Sequence, residues 1–499
     1  MNATIFWRIL WKEYRAQRAF WISMVVLTVL AELLLLAGYR HSFFYSLPER
    51  IQPLFAAGLA LAAFYALGSG ATLFAAERET ETYDFLRGLP VTPLVVFAGK
   101  VVFALASTVA LFLLAWTVAL ALARELPDPL FHRQIWALCG LGGIELLAWG
   151  ILFSLLLKRP LVAVICAVTV VSIILWFLGG ESNRWMAVDL NPKTVYARLL
   201  IVALMAATDI ALALRWFRER SPLTARLRSA RAREATGWGF DLPPSSGTML
   251  CRLVWQELRQ SAALTAALMA MLLPIVLLGW AQWLFPIDPR HLDAPGFGRI
   301  LSVLLLPGFL AAPLLGSSVF LADQTDCRFR FLAECGIPPR LVWLSRQIRG
   351  LAIMLLGLLL VLVPEIAVIA GKKQPDGMLL VIERLVGFVV VAYVCGQLCS
   401  MVFRSGILAA TFGTILTLLL CGWAALMYGL GLSWLWSVAP IPLAFMVATW
   451  LHAPDWILER KTGRARLRSA LVVAIPAVTI VVAIPLVRVY EIPLVGPGF

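Results

Sequence analysis

Four acids, Glu32, Glu145, Asp209 and Glu365, lie within or near long apolar runs. An ionised carboxylate at such depth costs roughly 2.5–3.5 kcal/mol on insertion scales, so each is a candidate for ion or proton handling. Glu365 is expected near the outer end of its run, where water is close. Asp209 reaches a base, Arg215, only across nearly two helical turns. The four are treated as unmatched between the two halves of the chain described below, which favours helix-to-helix hydrogen bonding or local water over a proton relay. Other chemistry is poorly supplied. The four histidines, 41, 132, 291 and 452, are far apart, and no H-E-x-x-H, G-x-S-x-G or G-x-x-x-x-G-K-[ST] motif occurs. The eight cysteines fall in predicted spans or on the predicted inner side, which argues for reduced thiols; Cys395 and Cys399, one turn apart, read as packing residues. No enzymatic activity, catalytic residue, metal site or cofactor-binding residue is expected of this chain.

The elements that would position those acids are membrane helices. Of 499 residues 61% are hydrophobic and 14% charged, with a mean hydropathy of +0.88. At about 20 apolar residues per span the chain holds roughly a dozen spans and no large soluble domain. The net charge of +14 could suggest nucleic acid, but most of the 42 Lys and Arg fall on predicted inner segments if the N-terminus is cytoplasmic. That is the positive-inside bias of a multi-span protein, with anionic headgroups as the partner and no nucleic acid. The first apolar run follows a charged stretch and lacks a small-residue cleavage site, so it reads as a span rather than a signal peptide.

The predicted organisation is all-α and polytopic, with about 12–13 spans in two pseudo-repeated halves. Residues 5–20 form an amphipathic segment expected to lie in the interface, with Trp11, Glu13 and Arg15 upon it. Six spans follow, giving a first half over 1–216. A basic cytoplasmic linker over 217–249 leads to a second half over 250–458, which restarts with Trp255, Glu257 and Arg259. Residues 459–499 hold a basic inner loop, one further apolar run weakened by Pro476 and Pro485, and an outer tail. The duplication rests on shared spacing: Trp11, Glu13 and Arg15 recur 244 residues later, while Phe74, Glu77, Pro93, Lys100 and Ser154 recur 246 residues later as Phe320, Asp323, Pro339, Arg346 and Ser400.

The longest charged interruption of the first 120 residues, Glu77 to Pro93, separates spans two and three; its counterpart is Asp323 to Pro339. Tyr83, Leu86 and Leu89 keep near-helical spacing while Glu77, Glu79, Glu81, Asp84 and Arg87 take the other face, which predicts a surface helix of about two turns. Pro90 ends it, and Pro93 suits the first position of the next span.

The run Glu77, Glu79, Thr82, Asp84, Leu86, Leu89, Pro90, Val91 and Thr92 resembles the coupling-helix region of type-2, exporter-class ABC transporter permeases. In that family six spans follow an amphipathic N-terminal helix, and the segment between spans two and three docks on a separate ATPase. The resemblance implies a permease subunit of the bacterial cytoplasmic membrane with two fused halves, exporting a substrate that the sequence does not identify. ATP would be bound by ABC ATPase partner subunits. The docking residues would be Glu77, Glu79, Thr82, Asp84, Leu86 and Pro90 in the first copy, and Asp323, Phe331, Leu332 and Pro339 in the second. The second copy departs from the pattern, with Thr325 and Cys327 where the first has Glu79 and Glu81. Two alternatives stay open: an ion-coupled secondary carrier, and a non-transporting scaffold anchoring an outer domain.

Overall fold

The computed structural model of the chain describes residues 2–41, 47–79, 82, 92–123, 129–179, 192–218, 246–284, 310–325, 328–370, 376–403, 405–429, 432–458 and 463–486. Among the described residues the protein is all-α. The helices are α1 (Asn2–His41), α2 (Leu47–Glu79), α3 (Pro93–Ala123), α4 (Pro129–Leu156), α5 (Pro160–Gly179), α6 (Pro192–Arg218), α7 (Ser246–Leu284), α8 (Leu321–Thr325), α9 (Arg328–Glu334), α10 (Pro339–Ala370), α11 (Asp376–Val402), α12 (Gly406–Gly429), α13 (Trp434–Val438), α14 (Pro440–Ile457) and α15 (Gly463–Val478). Residues 310–317 are also helical and turn into α8 at 318–320. Nine helices among the described residues are long and apolar enough to cross a membrane, which makes the chain a polytopic membrane protein. The first part of the expected eighth span, 300–322, lies outside the described residues, as do most of the expected linker and the tail from 487.

Proline marks the helix starts. Pro93, Pro129, Pro160, Pro192, Pro339 and Pro440 each occupy the first position of a helix, where the missing N–H would have had no partner. One expectation is corrected. The amphipathic N-terminal segment and the first span form a single 40-residue helix, α1. No Pro or Gly interrupts it before Gly38, so no residue breaks the hydrogen-bond ladder between its amphipathic and apolar portions. The second half likewise restarts as one long helix, α7. The last apolar run is helical despite Pro476, and a π-helical turn at Thr479–Ala483 follows that proline.

The chain forms two compact units. The first holds Met1–Trp21, Phe44–Ala167 and Leu190–Arg252; the second holds Ile22–Phe43, Val168–Asp189 and Leu253–Phe499. In the first, α2 packs along α4 around Leu73, Phe74, Leu147 and Ile151. The backbones meet at two glycines. A Cβ on Gly70 would lie 2.6 Å from the Leu147 carbonyl oxygen, and one on Gly150 would lie 2.7 Å from that of Leu67. Small residues at such a crossing let membrane helices approach closely. The second unit repeats the crossing 246 residues later: a Cβ on Gly316 would lie 2.0 Å from the Tyr393 oxygen, and one on Gly396 would lie 2.3 Å from that of Pro313.

Candidate functional site

The first unit gathers its first three helices around one ammonium group. Lys100, near the start of α3, is buried, and its Nζ donates to Glu13 Oε1 at 2.7 Å, Glu77 Oε1 at 2.7 Å and the Leu73 carbonyl at 2.7 Å. An ammonium has three N–H donors, and all three are used. Glu13 comes from α1 and Glu77 from the last turn of α2, so one base ties three helices. Lys12, its side chain 45% exposed, adds a second base to Glu77 at 2.5 Å. Two acids and two bases then sum to zero, which is the condition under which charged groups can leave water at tolerable cost. The amino-terminal part of α1 follows from this arrangement. Its buried edge is Ile9, Glu13, Gln17 and Phe20, with Gln17 accepting from Ser69 Oγ at 2.8 Å, while Trp7, Trp11 and Tyr14 stay exposed.

The second unit builds the same constellation from α7, α8 and α10. Arg346 donates through Nε to Asp323 Oδ2 at 2.7 Å and through Nη2 to Oδ1 at 2.8 Å, and its Nη1 lies 3.1 Å from Glu257 Oε2. Glu257, Asp323 and Arg346 are all buried. The fourth charge is Arg349, one turn further along α10 and also buried, which donates to Glu257 Oε1 and, at 3.0 Å, to Ser318 Oγ. On α7 the register matches that of α1: Glu257 is buried while Trp255 and Arg259, like Trp11 and Arg15, are exposed.

Two of the expected docking residues belong to these clusters. Glu77 and Asp323, expected among the residues that touch a partner, are both buried and paired within their own unit. Glu13 and Glu257, expected on interfacial helices, are the acids that anchor those helices inward. What remains at the surface lies beyond the clusters. Glu79 is half-buried and Thr82 exposed, whereas Asp84, Leu86 and Pro90 lie outside the described residues. In the second copy the predicted short helix is present as α9. Phe329 and Leu332 hold it down, the former 5.8 Å from the Trp456 ring between centroids, while Phe331 on its other face is 62% exposed. Gly336, at φ 68°, closes the helix in the left-handed conformation that glycine takes without strain, and the N–H of Ile337 donates back to the Leu332 carbonyl at 3.2 Å. Pro339 then begins α10.

The apolar-run acids divide. Glu145 accepts a two-point contact from Arg198 on α6, Nε to Oε1 and Nη2 to Oε2, each at 2.7 Å, so it is a helix-to-helix clamp. Glu32 is fully buried with neither oxygen hydrogen-bonded, and Asp209 is buried with Oδ1 unpartnered. The side chain of Glu365 is outside the described residues. Treating Asp209 as unmatched is incorrect: 246 residues later stands Asp455, also buried. The short pattern Ala207, Asp209, Leu212 against Ala453, Asp455, Leu458 carried that signal in the sequence. Among the described residues no group of three or more His, Cys, Asp or Glu could hold a metal ion. Comparison with protein families, with curated proteins and with solved structures gives no match.

Proposed function

We propose that this protein is the membrane-spanning permease subunit of an ATP-driven transporter of the bacterial cytoplasmic membrane, moved by a separate ATPase that docks on the segments following α2 and α8. The observation that carries this reading is α9. It is a seven-residue helix set between apolar helices, pinned by Phe329 and Leu332, with Phe331 presented outward and Asp323 rooted in a buried ion cluster five residues before its start. An exposed aromatic on a short, well-anchored helix is the kind of group that serves as an energetic centre of a protein interface. The rooted acid offers a direct path from such a contact to the helices. A push on α9 would act on α7 and α10 through Glu257, Asp323 and Arg346. Export, rather than uptake, follows from the family resemblance alone.

Co-purification tests the reading. An ATPase retained by the native chain is expected to be lost when Phe331 is replaced by Asp, and when Glu79, Asp84 and Leu86 are replaced together by Ala, Lys and Ser. Retention with full stimulation of ATP hydrolysis in both variants would overturn it. A second reading has its own observation: buried acids at corresponding places in the halves, Asp209 and Asp455, are what an ion-coupled carrier would need. Transport driven by an ion gradient without ATP, and lost in Asp209→Asn and Asp455→Asn, would favour that carrier.

A further inference from the structure

The second unit contains an apolar cavity of about 90 Å³ between α7, residues 311–315, α10 and α11, lined by Leu272, Ala311, Met354, Gly357, Leu385 and Val389 among others. Its origin is visible in the duplication. At the corresponding positions the first unit carries Tyr65 for Ala311, Leu111 for Gly357 and Phe112 for Leu358. There Tyr65 and Leu111 are fully buried, the Tyr65 hydroxyl donates to Ser107 Oγ at 3.0 Å, and Phe112 packs so closely on Gly143 that a Cβ there would meet its ring at 3.0 Å. One frame is thus filled in the first unit and opened in the second by a tyrosine position that is Ala and a leucine position that is Gly, and Val389 and Met354, at the places of Gly143 and Thr108, do not close it. Packed interiors hold few voids of this size without a reason.

We propose that this cavity is a binding site for the hydrocarbon chain of a bilayer lipid. Among the described residues the lining carries no polar side chain to hold water, and apolar cavities of this order stay dry and take apolar guests. Leu272, Leu358, Leu385 and Val389 are half-buried, so the cavity reaches the surface of its unit. The same helices expose Leu273 and Leu277 on α7 and Leu355, Leu356 and Leu359 on α10. Helices α10 and α11, which line the cavity, are long and apolar enough to cross a membrane, and α10 exposes leucines next in sequence to its lining residues, so the guest at hand is an acyl chain. The site is independent of the ATPase reading and requires only that the helices lie in a membrane.

The test reconstitutes the full chain in phosphatidylcholine vesicles doped with a phosphatidylcholine carrying a photoactivatable diazirine on one acyl chain, and maps the adducts by peptide mass spectrometry. Adducts are expected on Met354 and Leu272 of the native chain. Gly357→Leu, which restores the first unit's residue, should lower that yield about tenfold while adducts on Leu355 and Leu359 hold. Ala311→Leu is the second variant, should Gly357→Leu fail to fold as judged by thermal unfolding. Native yield at Met354 and Leu272 in a folded filled variant would overturn the site. So would a native chain labelled on its exposed leucines and not in the cavity, whether the space is empty or holds another guest.

Discussion

The two charge clusters share an acid from the long first helix, an acid from the end of the next, and a base from the helix after, yet they close their charge balance differently. In the first unit the fourth charge is Lys12, on the same helix as Glu13 and half in water. In the second it is Arg349, buried one turn deeper on α10 and reaching Ser318, where the chain leaves its helical path in the turn at 318–320 before α8 begins. The first cluster can exchange its outer partner with solvent, because an exposed ammonium finds water as readily as a carboxylate. The second cannot, since every member is desolvated. Neutrality is common to both; adjustability belongs to the first. If the segments after α2 and α8 are pushed by a partner, the first copy is the compliant one and the second transmits the load.

Several substitutions would break or sharpen that contrast. The largest effect is expected from removing either hub. Lys100→Met strands the buried Glu13 and Arg346→Met the buried Asp323, while Glu77 and Glu257 keep Lys12 and Arg349; each should cost about 3–5 kcal/mol, read as a fall in the unfolding midpoint of the purified chain. Adding Glu13→Gln and Glu77→Gln to Lys100→Met should recover part of that loss; no recovery would mean that charge is not what the cluster balances. The fourth bases should then separate the units, with Arg349→Leu costing about 3 kcal/mol and Lys12→Leu under about 1 kcal/mol. Equal losses would remove the distinction. Gly316→Ala and Gly70→Ala should each cost roughly 1–3 kcal/mol by forcing the helix crossings apart, the former more because its Cβ would meet the facing carbonyl oxygen at 2.0 rather than 2.6 Å. The smallest stability change, within about 0.5 kcal/mol, is expected for the exposed Phe331→Ala, although ATPase retention should fall sharply in that variant.

Much of the fold could be read from the chain because membrane spans are written as unbroken apolar runs and their ends as prolines. Helices α3, α5 and α12 each end within one residue of the apolar runs expected to form spans, 94–122, 161–178 and 407–428, for that reason. The clusters were only half legible. Glu13, Glu77 and Lys100 could each be matched to Glu257, Asp323 and Arg346 by spacing, but each alone looked like a group seeking water. A lone charge is too costly to bury, so its default is the surface. Burial becomes favourable only when three helices bring a balanced set together, and that convergence is a tertiary fact. The sharper clue was that sign was kept at three separate positions of a diverged repeat, acid for acid and base for base. The cavity was illegible for the opposite reason, since Ala311 and Gly357 are ordinary residues whose meaning comes only from Tyr65 and Leu111 in the other unit.

The glycine crossings carry one more consequence. Where Gly70 meets Gly150, and Gly316 meets Gly396, backbone touches backbone, so each pair of helices is held at one fixed point of closest approach. Each crossing can serve as a fulcrum. Glu77 and Asp323 stand seven residues beyond it, about 10 Å if helical throughout. A force applied at the charged end would then be geared through a fixed point, with α2, or residues 310–317 and α8, as the beam.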